Sequence, residues 1–480
     1  MRFFKSLTEN LDYIKKQIPS QDIVYHETVA GKKAACVIFI DSVTDKKALG
    51  QMLLNPLSES GLDSFEKIEK KAFAAGCAEK KDILKALEEL VKGKSLLLID
   101  GERGALCFDF LHYEMRSISE PPTSTVMKGP REGFNESLRV NLCLLRRRIK
   151  VKDFVIETHT LGKYTQTSVA ICYISSIVNK KIVKEVTERL KLIDIDGVAD
   201  SSYIGKMIVE HKTSLFKQVG NTEKPDILSQ KMLEGRVGII IDGSPIALTV
   251  PYMLVEDFQS SEDYFVNFYR ANMERGIRVF SIFIAVFLPA IFVSAQLFHL
   301  QLIPLNFLLT IVNSIKGIPL SPSYEMFFTL LIFEILNEAS IRMPKYVGMA
   351  LSIVGALVLG DTAVKAGIVS TPTIMIMALS GICLYTVPEL VESMSVLRLV
   401  YLIVAGSAGG YGIMLLSAMI IAYLCSLENF GVPFLAPYAP LIKNDLQDGL
   451  VMDFISRQTL RPQVLKSKNK RRIKIKDVKE

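Results

Sequence analysis

Apolar and polar residues are arranged in two different ways along the chain. Up to residue 278, apolar runs are short and charged residues recur throughout, as in a soluble protein. Beyond that point, three stretches contain no Asp, Glu, Lys or Arg: Val279–His299, Ala366–Pro388 and Leu399–Leu427. Each is long enough to cross a hydrocarbon core of about 30 Å as a helix of roughly 20 residues. The pattern therefore predicts an integral membrane protein with a soluble N-terminal half.

The N-terminal half contains two pairs of similar segments in the same order. Ala34–Leu49 resembles Ser168–Val183, since each has a β-rich run, a polar turn and a Lys-Lys pair that opens a helical pattern. Lys94–Phe110 resembles Arg236–Pro251, with Ile-Asp-Gly between two apolar runs, which is typical of a β-hairpin. We therefore predict two tandem α/β units related by duplication, followed by an α-helical polytopic membrane domain. The alternative is that two unrelated α/β units have similar strand and turn sequences.

One helix of the predicted membrane domain is unusually polar. Ser321–Lys345 has an apolar core crossed by three charges. These are Glu334, Glu338 and Arg342, which are spaced four apart and so form one stripe along a helix. Two interpretations are open: an amphipathic helix at the membrane interface, or a stripe that faces a watery passage. The preceding run, Leu302–Ile315, has only 14 residues and is short for a crossing.

A helix that starts near Tyr346 would place small side chains on one face. At 3.6 residues per turn, the members of this stripe are Gly348, Ser352, Gly355, Leu359, Thr362 and Ala366. The stripe favours either close packing by a neighbouring helix or the lining of a narrow pore. Asp361 and Lys365 point away from it, one turn apart with the acid first, so we expect an ion pair at the end of a span. Gly367 is then expected to end the helix, and Ser370 to cap the next one.

The ends of the membrane domain set its expected topology. Arg270, Arg275 and Arg278 stand just before the first span, and a tail rich in Lys and Arg follows the last. Both ends are therefore expected on the cytoplasmic side, with four or six crossings between them. In the last span, Gly406 and Gly410 are suited to close helix contact.

Composition adds little chemistry. The chain has 480 residues and a formal net charge of +7; its five histidines are isolated and its seven cysteines scattered. We predict no metal, no cofactor and no enzyme activity, and a reducing compartment. Asp194, Asp196 and Asp200 are interpreted as loop and N-cap residues rather than a calcium site. For a basic tail tethered to a bilayer, anionic membrane lipid is favoured as a partner over nucleic acid.

These patterns divide the chain into five segments. They are a first cytoplasmic α/β unit over 1–116, a linker and basic connector helix over 117–150, a second cytoplasmic α/β unit over 151–270, a helical membrane domain over 271–430 and a basic cytoplasmic tail over 431–480. The connector helix lies within Gly129–Lys150, where charges flank a helical apolar pattern. It is interpreted either as a solvated helix or as a connector that faces another subunit or the membrane.

Four longer motifs resemble a single family. In the N-terminal half these are "KGPREGFNESLRVNLCLLRRRIK" and "LIDIDGVADSSYIG", and in the membrane half "PSYEMFFTLLIFEILNEASIRMPKYVG" and "GALVLGDTAVKAGIVS". They resemble the A subunits of the GerA-type spore germinant receptors of endospore-forming bacteria. The resemblance covers nearly the whole chain and follows the order of the family: a cytoplasmic N-terminal domain, a membrane domain and a short cytoplasmic tail.

The resemblance implies a location, partners and a role. The location is the spore inner membrane, and the partners are a transporter-like B subunit that binds the nutrient and a C subunit lipoprotein. The family resemblance also implies a homo-oligomeric ring with a membrane pore, which we place at the Tyr346–Ala366 helix. In the family pattern the positions of Asp361 and Lys365 are usually uncharged and polar, so the resemblance does not define the ion preference.

The expected function is therefore a subunit of a nutrient receptor that triggers germination and forms a gated ion channel. The alternatives are a secondary transporter and a membrane signalling scaffold that does not conduct ions. Secondary transporters usually contain repeated membrane halves, and the membrane domain shows no convincing repeat of this kind.

Overall fold

The structure is a computed structural model that describes residues 2–58, 62, 64–71, 77–111, 128–344, 347, 355 and 358–473. The first unit is built around a five-stranded antiparallel sheet in the order β1-β2-β4-β5-β3. Its elements are α1 Leu7–Gln17, β1 Ile23–Ala30, β2 Lys33–Ile40, α2 Lys46–Leu49, α3 Asn55–Ser58, α4 Phe65–Lys71, β3 Ala78–Lys80, α5 Ile83–Val91, β4 Ser95–Ile99 and β5 Ala105–Phe108.

The second unit has a sheet of the same topology, in the order β6-β7-β9-β10-β8. Its elements are α6 Leu138–Arg148, β6 Phe154–Leu161, β7 Thr167–Ile174, α7 Lys180–Lys191, α8 Ser201–Ile208, β8 Gly220–Thr222, α9 Pro225–Glu234, β9 Val237–Ile241 and β10 Ala247–Val250. In both units, helices cover both faces of the sheet, because successive strand residues point to opposite faces and both sets are apolar.

The two Asp-Gly sequences form the predicted hairpins. β4 pairs with β5 and β9 with β10, both antiparallel, with Asp-Gly just after the first strand of each pair. Each aspartate also has a second role. Asp100 accepts a hydrogen bond from the first amide of α1 at 2.9 Å, and Asp242 does the same for α6 at 2.9 Å. A carboxylate at a helix N-terminus satisfies N–H groups that have no partner within the helix. Because the corresponding aspartate does this in both units, the detail supports the predicted duplication.

The basic connector helix belongs to the second unit. α6 holds the position that α1 holds in the first unit, and its apolar face packs on the second sheet. It is therefore not a solvated helix. Arg146 is buried and donates from Nε and Nη2 to the carboxylate of Asp22, at 2.9 and 2.7 Å, which joins α6 to the first unit. The two α/β units are thus held together by a buried ion pair.

The C-terminal half is largely helical. Its helices are α10 Phe268–Phe298, α11 Leu305–Ile315, α12 Pro322–Arg342, α13 Ala363–Lys365, α14 Thr371–Leu384 and α15 Val391–Ser426. Within the described ranges, two helices are long and apolar enough to cross a membrane, Phe268–Phe298 and Pro388–Ser426. The predicted charge-free span Ala366–Pro388 contains the helix α14, which has only 14 residues. Gly367 adopts a φ of +67°, which interrupts the helical backbone before α14 begins.

The C-terminal segment folds back onto the second unit. Residues 428–433 form a small hairpin, and the chain then runs past the start of α10 to the end of α9. There Arg461 Nε donates to the carbonyl of Leu233 at 2.6 Å, and Ser467 Oγ donates to the carbonyl of Glu234 at 3.0 Å. Much of the predicted basic tail is therefore packed against protein, up to residue 473.

Candidate functional site in the helical region and its junction with the second unit

A buried arginine lies at the centre of the helical region. Arg398 of α15 is 0 % exposed, and its Nη2 lies 2.5 Å from Oε1 of Glu334 in α12. Its Nη1 donates to Ser380 Oγ of α14 at 3.1 Å, and that hydroxyl donates to the carbonyl of Ala285 in α10 at 2.7 Å. One guanidinium therefore links four helices. A charge at this depth is tolerated because it is paired and hydrogen-bonded.

A second carboxylate is buried between α12 and α14. Glu325 is 1 % exposed, and one of its oxygens accepts from both the amide and the hydroxyl of Ser370, each at 2.7 Å. Ser370 is the residue before α14, as predicted, but its hydroxyl bonds to Glu325 and Thr373 Oγ1 rather than to the backbone of its own helix. The predicted capping by the Ser370 hydroxyl is therefore wrong, and that hydroxyl instead links α14 to α12.

The structure divides the predicted polar stripe on α12. Glu334 turns to Arg398, whereas Glu338 and Arg342 are exposed and pair with each other at 2.5 Å. Asp361 and Lys365 also form the predicted pair, with Nζ and Oδ2 2.6 Å apart and both side chains exposed. Both exposed pairs follow the i, i+4 rule for a helix.

The small-residue stripe is only partly described. Gly348 and Ser352 lie outside the described residues, and Leu359 is described in its backbone alone. Gly355 is buried, and a Cβ atom built on it would lie 3.1 Å from the side chain of Leu336 in α12. Thr362 and Ala366, at the other end of the stripe, are exposed. Of the stripe residues whose side chains the structure describes, Gly355 therefore packs against the same chain, whereas Thr362 and Ala366 are exposed.

The glycines of α15 allow the predicted close helix contacts. A Cβ atom at Gly406 would lie 2.7 Å from Ser323 Oγ of α12, and one at Gly410 would lie 3.4 Å from His299 Nε2 at the end of α10. Between them, Gly409 has a φ of +62° and interrupts the helix beside Phe298. Side chains larger than hydrogen would push these helices apart.

The start of α10 is fixed by buried charges. Arg275 and Asp263 are both 0 % exposed, and Arg275 Nε donates to Asp263 Oδ2 at 2.8 Å. Arg278 donates to both oxygens of Asp263 at 2.9 Å, and Arg275 Nη1 donates to Asp448 Oδ1 of the C-terminal segment at 2.9 Å. Two of the arginines expected to flank the first span are therefore structural, and they join three segments of the chain.

A second charged contact joins the second unit to the start of α15. Lys217 Nζ lies 3.1 Å from Asp257 Oδ1 and also pairs with Glu389, just before α15. Burial acts to lower the pKa of Lys217, but these two carboxylates outweigh it and raise that pKa. The lysine is therefore charged, and the charge holds the second unit to the helical region.

The nearby Glu256 has an unusually acidic carboxyl group. It is buried beside Arg236 and Lys231, whose Nζ lies 2.8 Å from its Oε2. Burial acts to raise the pKa of Glu256, but the two cations outweigh it and lower that pKa from 4.5 to about 2. Within the described residues no group of three or more His, Cys, Asp or Glu side chains is placed to hold a metal ion.

Comparison with known proteins defines the family. The family described as Bacillus/Clostridium GerA spore germination protein matches residues 9–464. The chain belongs to this family. It is 37 % identical over 456 residues to spore germination protein KA of Bacillus subtilis strain 168, covering 93 % of this chain and 84 % of that protein. It is 34 % identical over 460 residues to spore germination protein B1 of the same strain, covering 94 % and 95 %.

A solved structure is also similar to the N-terminal half of this GerA family member. It is the N-terminal domain of the A subunit of the Bacillus megaterium spore germinant receptor GerK3, with 30 % identity and a TM-score of 0.43, over 53 % of this chain and 98 % of that one. The family resemblance predicted from the motifs is confirmed by the family match and by the spore germination relatives.

Three features of this GerA chain were not found from its sequence: the Arg398–Glu334 pair, the buried Glu325 and the cluster around Arg275. A signal for the first was present. Arg398 is the last charge before the long apolar run of α15. A buried arginine needs an acidic partner, so an acid on another apolar helix was to be expected. Asp448 carries no comparable signal, because it lies in an irregular segment.

Proposed function

We propose that this chain is the A subunit of a nutrient germinant receptor in the spore inner membrane. In this proposal α10 and α15 cross the bilayer, the α/β units and the C-terminal segment are cytoplasmic, and the subunit works with a nutrient-binding B subunit and a lipoprotein C subunit. Membership of the GerA family is the observation that carries the proposal. The two long apolar helices support its membrane part.

The basic experiment is genetic. Spores that lack this chain should fail to germinate with the nutrients of their receptor, while germination by a receptor-independent stimulus is kept. The measurement is the loss of optical density together with release of stored ions. Normal germination of the deletion strain with every nutrient that the parent strain responds to would contradict the proposal.

We further infer that several copies form a ring and that the small-residue stripe lines a gated ion pathway. The exposure of Thr362 and Ala366 supports a lining at one end of the stripe. Thr362→Leu should then reduce the conductance of the purified protein in planar bilayers. Gly360→Leu is the matched control, because Gly360 lies off the stripe and a Cβ atom there would have no atom of the described residues within 4 Å. Unchanged conductance in Thr362→Leu would remove this helix from the pathway.

A scaffold without conduction is the second candidate, and one observation favours it. Gly355 packs against Leu336 of the same chain, which is the behaviour of a packing stripe rather than of a pore lining. The scaffold predicts no current from the purified protein under any condition, with germination still dependent on the chain. A secondary transporter would instead show saturable, substrate-specific uptake in vesicles.

A further inference from the structure

The outward face of α10 carries a regular apolar pattern. Tyr269, Met273, Gly276, Phe280 and Phe283 follow one another at intervals of four, three, four and three residues. This is the a and d spacing of a coiled-coil seam. Tyr269, Met273 and Phe280 are 75, 60 and 64 % exposed, and Gly276 is exposed as well. The opposite face of the helix, which includes Arg275, is buried in the chain itself.

Residues of the C-terminal segment extend this face at its N-terminal end. The ring of Phe268 stacks on the ring of Phe454, with the ring centroids 4.1 Å apart. It also meets the ring of Tyr269 edge to face, at a centroid distance of 5.3 Å. Phe454 and the next residue, Ile455, are both exposed. We call Tyr269, Met273, Phe454 and Ile455 the apolar patch. Contiguous exposed apolar clusters are typical of surfaces that another molecule covers.

Lipid is not positioned to cover the apolar patch. The charge-free part of α10, Val279 to His299, has 21 residues, which span about 30 Å and so fill the hydrocarbon core. Tyr269 then lies about 15 Å, and Met273 about 9 Å, outside that core at about 1.5 Å per residue. The headgroup layer on each side is only about 5–8 Å thick. The patch therefore lies beyond the bilayer, while Phe280 of the same seam lies inside it.

The charges beside the patch favour an acidic partner over a second copy of this chain. Arg270 pairs with Glu274 and Arg457 with Asp453, but in each pair the cation is the more exposed member, at 57 against 25 % and 69 against 33 %. The guanidinium groups therefore form the outer rim. Pairing of this seam with the same seam of a second copy would bring identical guanidinium groups together at one level of the membrane, where like charges repel.

We propose that the seam from Tyr269 to Phe283 binds a membrane-spanning helix of a different protein chain. That helix continues beyond the bilayer for about two turns and carries carboxylates at its cytoplasmic end, opposite Arg270 and Arg457. Because the seam runs without interruption from the patch into the apolar part of α10, its partner must also cross the bilayer surface. The inference rests on the proposed membrane location, and Gly276 leaves room for close approach of the two helices.

Photo-crosslinking in intact spore membranes tests the seam. A photo-reactive amino acid is placed at Met273 and, separately, at Phe280, with Leu192 as the control because it is exposed and apolar but lies on the second unit. The expected result is one adduct common to both seam positions and absent from Leu192, whose peptide maps to a membrane helix with acidic residues at its cytoplasmic end. Adducts with a second copy, with lipid, within the same chain, or none at all would overturn the proposal.

A charge substitution supplies the quantitative arm. Met273→Glu should reduce recovery of the crosslinked partner with the purified chain at least tenfold, since it buries a carboxylate in an apolar seam. Leu192→Glu should leave recovery unchanged, and both variants should keep the parent abundance in membranes. Equal recovery in the two variants would refute the seam. If spores without the chain germinate normally, the proposed function fails; if only the crosslink fails, that function stands without this interface.

Discussion

Removal of the Asp263 carboxylate tests whether buried charges hold α10 to the second unit. Asp263 is 0 % exposed and accepts hydrogen bonds from Arg275 at 2.8 Å and from Arg278 at 2.9 Å. Asp263→Ala leaves Arg275 buried with Asp448 as its remaining acidic partner among the residues that the structure describes. Breaking one side of a buried ion pair costs about 3–5 kcal/mol, because the remaining charge is left uncompensated. The expected loss lies at the lower end of that range, since Asp448 remains.

Thermal unfolding of the full chain in detergent measures this loss. The chain has buried cysteines in both halves, Cys172 in the second sheet and Cys383 in α14. A thiol-reactive dye therefore reports unfolding as the buried cysteines become accessible, above the initial signal of Cys425, which is exposed in the folded chain. A loss of about 3 kcal/mol corresponds to a fall in Tm of roughly 6 °C at about 2 °C per kcal/mol, the value for large domains.

A neighbouring residue supplies the control. Glu262→Gln removes the same charge from the preceding position of the same short helix, where the side chain is half-buried and not enclosed, so we expect a change in stability of about 0.5 kcal/mol. If Asp263→Ala and Glu262→Gln lower Tm equally, the cluster does not fix α10. A normal Tm for Asp263→Ala would refute the argument directly.

Three further predictions concern single contacts. Because the pKa of Glu256 is held at about 2, its contribution to stability is complete above pH 4.5 and is lost as the pH falls towards 2; Glu256→Gln should flatten that part of the curve of Tm against pH. Gly406→Leu should cost about 1–3 kcal/mol through overpacking against α12, whereas Gly360→Leu should be neutral, as measured by Tm. Glu334→Gln should cost about 2 kcal/mol, and the addition of Arg398→Met should recover most of it in a double-mutant cycle.

Local patterns were predicted well because their causes are local. The hairpins at Asp100 and Asp242 follow from a turn signal between two apolar runs. The ion pairs Glu338–Arg342 and Asp361–Lys365 follow from spacing on a single helix. The long apolar helices follow from the absence of charge, although the backbone of Gly367 shortened the span that begins at residue 366.

Contacts between distant segments were not predicted. Arg398 and Glu334 are 64 residues apart, and Arg275 and Asp448 are 173 residues apart. Such pairs follow no helical or strand spacing, so the sequence pattern cannot predict them. They depend on how whole helices and the C-terminal segment pack together. The packing of α6 was not predicted for the same reason: its sequence left a solvated helix and a connector to another subunit or the membrane both open, whereas its apolar face packs on the second sheet.

The buried charges constrain how the two halves of the chain can move. Replacing a buried ion pair by apolar residues is often neutral or stabilising, so such pairs are weak evidence for stability and better evidence for defined geometry. Hydrogen bonds of 2.8–2.9 Å at Arg275 do not survive a shift of an ångström. The second unit and the C-terminal segment therefore hold the start of α10, and Lys217 adds a partly exposed ion pair with Glu389 just before α15. Any displacement of the second unit must then move the start of α10 with it, because Arg275 and Arg278 both bind the buried Asp263.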